Sequence, residues 1–400
     1  MLLLTGISCS FITFHKRISK IRLLVIFSAA LIIILYITAF ILTCRYNFSR
    51  FSDTDSFLRF CPVGIAFFTL HGIRFTSDTI AGKISPDYMD AAHYLLFYPR
   101  LAMGPVQSYS EHSAMCSQAS MCSQNIGEGL STFIKGLAQK VILADFLGVI
   151  FSSFYGSSES SSIIMTWTAI LAFALQFYFT VCGYSKMAEG IALCYGFRLP
   201  VSYSTPILFG SASDFNNNWN KTVTAWFSRL FYPLIHSQKW QSVLGIVLAW
   251  TLIGFWYRPD LHVVLCFAWM GFWIGILQYI KKKTDKIPAV IESALLIGAV
   301  FIAAAFFSSD SLVSGISRIG MMIGSGGSFI REQDLYFIKS GGIILIIAMY
   351  CASGHFNRIY AKIQKSPFLF AVSKALSIIL HALMLVICTA AIVSQHIVLV

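Results

Sequence analysis

Charge is what this 400-residue sequence has least of. Asp, Glu, Lys and Arg together make up 12% of it, about half the roughly 25% of an ordinary soluble domain. That shortage excludes a soluble enzyme, a coiled coil, a disordered scaffold and a nucleic-acid binder of the ordinary kind. There is also no C-x-x-C pair, Gly-rich phosphate loop, G-x-S-x-G elbow or H-E-x-x-H helix, and so no ready zinc, nucleotide or hydrolase motif. The nine histidines include no two at metal-ligand spacing, and no metal is expected. No long-period repeat of the transporter kind is present.

Apolar surface is plentiful. Hydrophobic residues make up 57% and aromatics 15%, with 35 Phe and 17 Tyr, and mean hydropathy is +0.73. This is the composition of a multi-pass membrane protein with interfacial aromatic belts. The net charge of +12 is divided among clusters that abut apolar runs. His15, Lys16, Arg17, Lys20 and Arg22 precede the first run; Lys281, Lys282, Lys283 and Lys286 follow another; Arg358, Lys362 and Lys365 precede the last. Such clusters read as cytoplasmic anchors. The ten cysteines are scattered, mostly inside apolar runs, where Cys behaves as a small hydrophobe. Cys116 and Cys122 belong to a tandem MCSQ echo, read most simply as a duplicated loop segment rather than a disulfide or a lipidation site.

Apolar segments fall near 23–43, 58–76, 133–155, 163–182, 241–257, 261–280, 288–307, 336–352 and 368–398. At 1.5 Å per residue they fit about nine spans, and this count sets all three basic clusters on one side. Residues 77–132 and 183–240 are too polar for clean spans and read as re-entrant or in-plane helices, since irregular backbone at membrane depth must be covered by protein or line a cavity. GSSESSS at 156–162 reads as a short outer loop. The expected architecture is an all-α integral membrane protein: a polytopic helical bundle of about nine spans, with re-entrant and in-plane helices around a polar funnel. Residues 1–22 form a cytoplasmic leader, 23–320 the core, and 321–400 the C-terminal spanning helices.

Ionisable groups in apolar surroundings are functional candidates by default. Lys140 and Asp145 are five apart, about 140° around a regular helix. Lys186 and Glu189 share a face at i, i+3. Asp214, in SASD, reads as a helix N-cap. For all five, pairing or capping is the simpler role. His262 and His381 fall within spans, and His71 and His93 lie near aromatic clusters.

Five blocks occur in order: FYPRLAMGPVQSYSE (97–111), GLAQKVILAD (136–145), YFTVCGYSKMAEGIALCYGFRLP (178–200), SDFNNNWNKTVTAWFSRLFYPL (213–234) and GFWYRPDLHVVLCFAWMG (254–271). Together they resemble the membrane-bound O-acyltransferase family, in its bacterial alginate O-acetylase and teichoic-acid D-alanyl transfer branch. Weaker echoes at 67–83 and 306–320 extend the similarity over about 20–320. The family's extra N-terminal spans have no counterpart, as expected of a truncated gene or a shortened relative.

The resemblance implies transfer of an acetyl-type group from a cytoplasmic thioester to a cell-envelope polysaccharide at the cytoplasmic membrane. Acetyl-CoA would be the co-substrate with no bound cofactor, the bilayer the environment, and a periplasmic or extracellular acyl-acceptor protein the partner; nucleic acid has no part. The polar landmarks depart from the family. Its first histidine corresponds to Asn220, after Trp219. Its catalytic histidine corresponds to Tyr257, after Trp256 and before Arg258. A third histidine is Met270, and the acidic positions of the middle block are Thr180 and Lys186.

Neutral imidazole suits the base this chemistry needs. Asn220 can donate a hydrogen bond but cannot take a proton. A tyrosine with an unperturbed pKa near 10 is phenolate in roughly one molecule in a thousand at neutral pH. Arg258 would lower that value and can bind a donor's phosphate, although adjacent helical residues point about 100° apart. His262, five residues beyond Tyr257, stands about 7.5 Å further along a helix. The candidate site is therefore Tyr257 and Asn220, supported by Arg258, His262, Asp214, Trp219 and Trp256. The alternative is an inactive relative acting as a membrane scaffold or acyl-donor-binding partner.

Overall fold

A computed structural model of the chain describes residues 30–41, 64–84, 87–101, 103–155, 162–204, 210–236, 240–284, 287–325, 328–354 and 366–398, with the single positions Ile7 and Ile363. Among these residues there are helices and no strands, as a bilayer requires of a spanning chain that does not close a barrel. In chain order they are α1 (Ala30–Ile41), α2 (Ile65–Ile80), α3 (Tyr88–Leu96), α4 (Tyr98–Leu101), α5 (Tyr109–Ser117), α6 (Ser123–Ala138), a π-helical segment (Gln139–Ala144) and α7 (Asp145–Tyr155). They continue as α8 (Ile163–Cys194), α9 (Ala212–Asn218), α10 (Lys221–Leu230), α11 (Tyr232–Ile235), α12 (Gln241–Tyr257), α13 (Leu261–Thr284), α14 (Ala289–Phe307), α15 (Leu312–Ile323), α16 (Glu332–Ala352) and α17 (Pro367–Val398).

Four segments are long and apolar enough to cross a membrane: Ile163–Cys194, Leu261–Thr284, Ala289–Phe307 and Val372–Ser394. The protein is an all-α membrane protein. The polar stretches read as in-plane structure are built of short pieces, α3 to α5 and α9 to α11, each of ten residues or fewer. One boundary differs from expectation. The sequence divides residues 163–194 at 182, where Gly183 and Lys186 lower the hydropathy, yet α8 runs unbroken to Cys194. The first and third basic clusters and residues 156–161 lie outside the described residues.

The chain forms two compact units. The first comprises Met1–Leu130, Ala188–Pro200 and Trp256–Pro259; the second comprises Ser131–Met187, Val201–Phe255 and Asp260–Val400. In the first, the buried ring of Tyr36 on α1 meets Phe68 of α2 at 5.7 Å between centroids. In the second, α13 packs along α14, and the Trp269 indole donates to Ala299 O at 3.2 Å.

Glycines allow the closest helix approaches. A Cβ on Gly136 of α6 would lie 2.7 Å from both Gly183 O and Met187 N of α8, and one on Gly183 would lie 2.8 Å from Gly136 O. Where lipid competes for apolar surface, such close backbone packing is a main source of helix association.

The π-helical segment corrects the regular-helix angle, while the simpler role, pairing, holds. Lys140 and Asp145 are not splayed apart but paired. The i→i+5 winding inserts one extra residue into the turn and brings position i+5 over position i.

Gly136→Val is expected to destabilise the protein by about 1–3 kcal/mol, the range for overpacking a tight site. Gly298→Ala, whose added methyl meets nothing within 4 Å, is expected to stay within about 0.5 kcal/mol of wild type. Thermal unfolding of the detergent-solubilised chain measures both.

Candidate functional site

In the second unit the site starts from the short helix α9, which is held at several points. The Ser211 hydroxyl accepts from Asp214 N at 3.1 Å, and the Asp214 carboxylate accepts from Ser211 N at 3.0 Å. Ser211 is therefore the N-cap. Asp214 sits three residues in and closes the capping box from the other side. SASD offers two capping residues, and the box uses both, which corrects the assignment of the cap to Asp214. The buried carboxylate of Glu292 on α14 accepts from Ala212 N at 2.8 Å and from Lys281 Nζ at 2.9 Å. Ser293 donates to Gly210 O at 3.2 Å, and the Trp250 indole donates to Asn216 Oδ1 at 2.9 Å.

Beyond α9 the chain turns through Trp219 and Asn220. Asn220 has φ 38° and ψ 59°, the one non-glycine at positive φ among the described residues. Asn tolerates this left-handed region better than most residues. The turn is tied on both sides: Lys221 N donates to Ser202 O at 2.7 Å and Ser204 N to Asn218 O at 3.2 Å. The Thr224 hydroxyl donates to Trp219 O and its amide to Asn220 O, both at 2.9 Å. The position corresponding to the family's first histidine thus lies, buried, in strained backbone that its neighbours over-determine.

The Trp219 ring stacks on Phe215 at 5.7 Å with 9° between planes, and Phe215 stacks in turn on Trp250 at 5.9 Å. These rings form one wall of a cavity of about 120 Å³, completed by Phe177, Met270 and Phe307 among others. The cavity is lined almost wholly by apolar atoms. Trp219 and Met270, two of the landmark positions, meet on its surface. The buried Trp219 Nε1 and Thr180 Oγ1 have no hydrogen-bond partner among the described residues, and such orphans in a native interior call for an explanation.

The other candidates divide between the units. His262 lies in the second, buried, as the second residue of α13. Trp256, Tyr257 and Arg258 lie in the first. Tyr257 is buried as the last residue of α12, and Trp256 donates to Ala66 O at 3.0 Å and packs edge-on against Phe67. Arg258 stands past the helix end, so the 100° separation expected of helical neighbours does not apply. The 7.5 Å helical rise proposed for His262 fails likewise. Arg258 to Asp260 interrupt the helix at Pro259, and a new one starts with Val264 N donating to Asp260 O at 3.0 Å.

The first block, 97–111, folds around the fully buried Arg100 in the first unit. Its guanidinium donates to Tyr94 O and, at 3.5 Å, to Gln107 Oε1; it lies 3.4 Å from His112 Nδ1 and 4.3 Å over the Tyr94 ring. The Tyr94 hydroxyl donates to Gln107 O at 2.7 Å. Gly104 is required because a Cβ there would lie 2.2 Å from Arg100 Cα. Burial draws Arg100 down to about 10, which leaves it cationic at neutral pH. Burial, with Arg100 and His93 beside it, draws His112 down to about 3, which leaves it neutral. The spacing of histidines from one another does not show this cluster; its one local signal in the sequence is His112 and Cys116 at i, i+4.

The helices and ordered blocks set the chain among membrane proteins resembling the membrane-bound O-acyltransferases, and comparison with curated proteins bears this out. No family model matches the chain. It is 24% identical over 302 residues to a probable alginate O-acetylase of Pseudomonas syringae pv. tomato, over 74% of this chain and 58% of the relative. It is 26% identical over 220 residues to the probable alginate O-acetylase of Pseudomonas aeruginosa, over 54% of this chain and 42% of the relative. A peptidoglycan O-acetyltransferase of Helicobacter pylori is 23% identical over 326 residues, over 72% of this chain and 62% of the relative. The matches thus span about half of these relatives' length.

Asn220→Gly is expected to destabilise less than Asn220→Val, because glycine adopts positive φ freely. Asn220→Val is expected to cost about 1–3 kcal/mol. A denaturant series comparing the two separates strain at this turn from loss of the amide.

Proposed function

We propose that the chain is a membrane O-acyltransferase of the cytoplasmic membrane that passes an acetyl-type group to a cell-envelope polysaccharide. The observation that carries this reading is the similarity to alginate and peptidoglycan O-acetyltransferases over as much as 74% of the chain. At the thioester, a hydroxyl oxygen of a carrier attacks the carbonyl carbon, the carbon–sulfur bond breaks, a thiol leaves, and the hydroxyl proton passes to a base; a sugar hydroxyl then takes the acyl group from the carrier. Acetyl-CoA is the proposed donor, and a periplasmic or extracellular protein the proposed carrier to the acceptor.

In this reading Tyr257, at the family's catalytic position, takes part in proton transfer through its phenol. Asn220 replaces the other histidine as a hydrogen-bond donor. The apolar cavity receives the methyl end of a short acyl group, and the unpartnered Trp219 N–H donates to its carbonyl oxygen. A hydrogen bond aimed at the developing oxyanion stabilises the transition state most where water is excluded. In the second unit His262 supports the polar end and Asp214 holds backbone in place; in the first, Arg258 and Trp256 stand beside Tyr257.

A second reading is favoured by Asn220, Tyr257 and Met270 themselves: a relative that binds an acyl donor or partner without turnover. Losing a placed general base costs about 10²–10⁴ in rate, so this reading predicts little activity. Ester-linked acetyl in the cell envelope distinguishes the two. The transferase reading expects acetyl content to fall when the gene is deleted and to fall again to that level when the restored gene carries Tyr257→Phe. Unchanged acetyl content on deletion would refute it in favour of the second reading.

A further inference from the structure

We propose that His93, His112 and Cys116 form a binding site for a divalent transition-metal ion of the zinc class. All three lie in the first unit. His112 and Cys116 stand four residues apart on α5 and so share one helical face; His93 faces them from α3.

His112 Nε2 is 3.2 Å from His93 Nδ1 and 3.6 Å from Cys116 Sγ, and the three ligand atoms lie within 4.8 Å of one another. Tetrahedral coordination with zinc–nitrogen bonds of about 2.0–2.1 Å and a zinc–sulfur bond of about 2.3 Å sets nitrogens about 3.3 Å apart and nitrogen about 3.6 Å from sulfur. The two closest separations are thus already those of a loaded site. One thiol and two imidazoles are a donor set suited to zinc.

The donors are positioned before any ion arrives. The rings of Tyr94 on α3 and Tyr109 on α5 pack edge to face at 5.7 Å across this pair of helices, and the Tyr109 hydroxyl donates to Asp90 Oδ2 of α3 at 3.5 Å. His112 is buried between the rings of Tyr94 and Phe97. His93 is exposed and Cys116 half-buried, so the cluster opens at the protein surface. Three protein donors leave a fourth position for water.

The charge changes balance. Cys116 releases its thiol proton on binding. With Nε2 on the metal the His112 proton sits on Nδ1, so the Arg100–His112 contact opens on loading, while Arg100 keeps Tyr94 O and Gln107 Oε1 as acceptors. One thiolate and one divalent ion leave a single net positive charge beside Arg100; Asp90, whose charge reaches Cys116, offsets it.

The test is titration of the purified, detergent-solubilised full chain with Co²⁺ as the spectroscopic probe, followed by Zn²⁺ competition. One equivalent of Co²⁺ is expected to produce thiolate-to-cobalt charge-transfer absorption in the near ultraviolet, which Zn²⁺ removes. Cys116→Ser is expected to abolish that band. His112→Gln and Cys116→Ser should each weaken Zn²⁺ binding by at least about tenfold, while Cys122→Ser changes neither readout. His93→Asn alters only an exposed side chain and is expected to weaken binding in a chain that folds, so a folding defect in the buried variants leaves the test intact. Absence of the band in wild type, its survival in Cys116→Ser, or unchanged Zn²⁺ affinity in His93→Asn would overturn the proposal.

Discussion

The candidate site of the second unit depends on one buried carboxylate. Glu292 is 1% exposed and is the one charged residue of its helix, where an unpaired charge would cost several kcal/mol. It is held there by the Lys281 ammonium and by the first amide of α9. A negative group at a helix N-terminus also meets the positive end of that helix's dipole. The pairing ties a spanning helix to a seven-residue one too short to be stable alone. Phe215, Asn216 and Trp219 owe their places to that attachment, as does the turn at Asn220. The aromatic wall of the cavity is therefore positioned by electrostatics at its far end.

The interiors of the two units obey different rules. Around Arg100 the first unit keeps a connected polar network of a cation, an amide, an imidazole and a backbone carbonyl, in which Arg100 Nε is left without a partner among the described residues. The cavity of the second unit is lined by rings and aliphatic chains, and Trp219 Nε1 on its wall has no partner among the described residues. Low dielectric strengthens a satisfied network and makes an unsatisfied donor costly. The first arrangement confers rigidity; the second leaves hydrogen-bonding capacity to spend on whatever enters.

Much of this was legible in the sequence. Hydropathy located the long helices, and the ordered blocks pointed to the relatives that comparison then found. The misses have physical causes. Hydropathy falls at Gly183 and Lys186, but a helix buried against others does not stop for a glycine that packs on Gly136, so α8 continued past the expected boundary. Asp214 reads as the cap only in a one-residue view of SASD; Ser211 and Asp214 act together in a capping box. The helical geometry assumed from Tyr257 through His262 failed at Pro259, which cannot continue a regular helix without losing a hydrogen bond. The left-handed turn at Asn220 left no local mark beyond the tolerance of Asn for it. No pattern of residue types could have shown that Trp219 and Met270, fifty-one positions apart, border one cavity.

The π-helical turn has a consequence for how this chain is compared with others. Its extra residue rotates everything after Ala144 by about 100° relative to a regular helix entering at Gln139. The face that α7 offers its neighbours is therefore set by a count of residues rather than by their character. Against a relative whose helix is regular here, the two chains run in phase up to the turn and one position out of phase after it. A gap opened within 139–144 restores the correspondence. Without it, an alignment can match apolar residue to apolar residue and still pair the wrong sides of the helix.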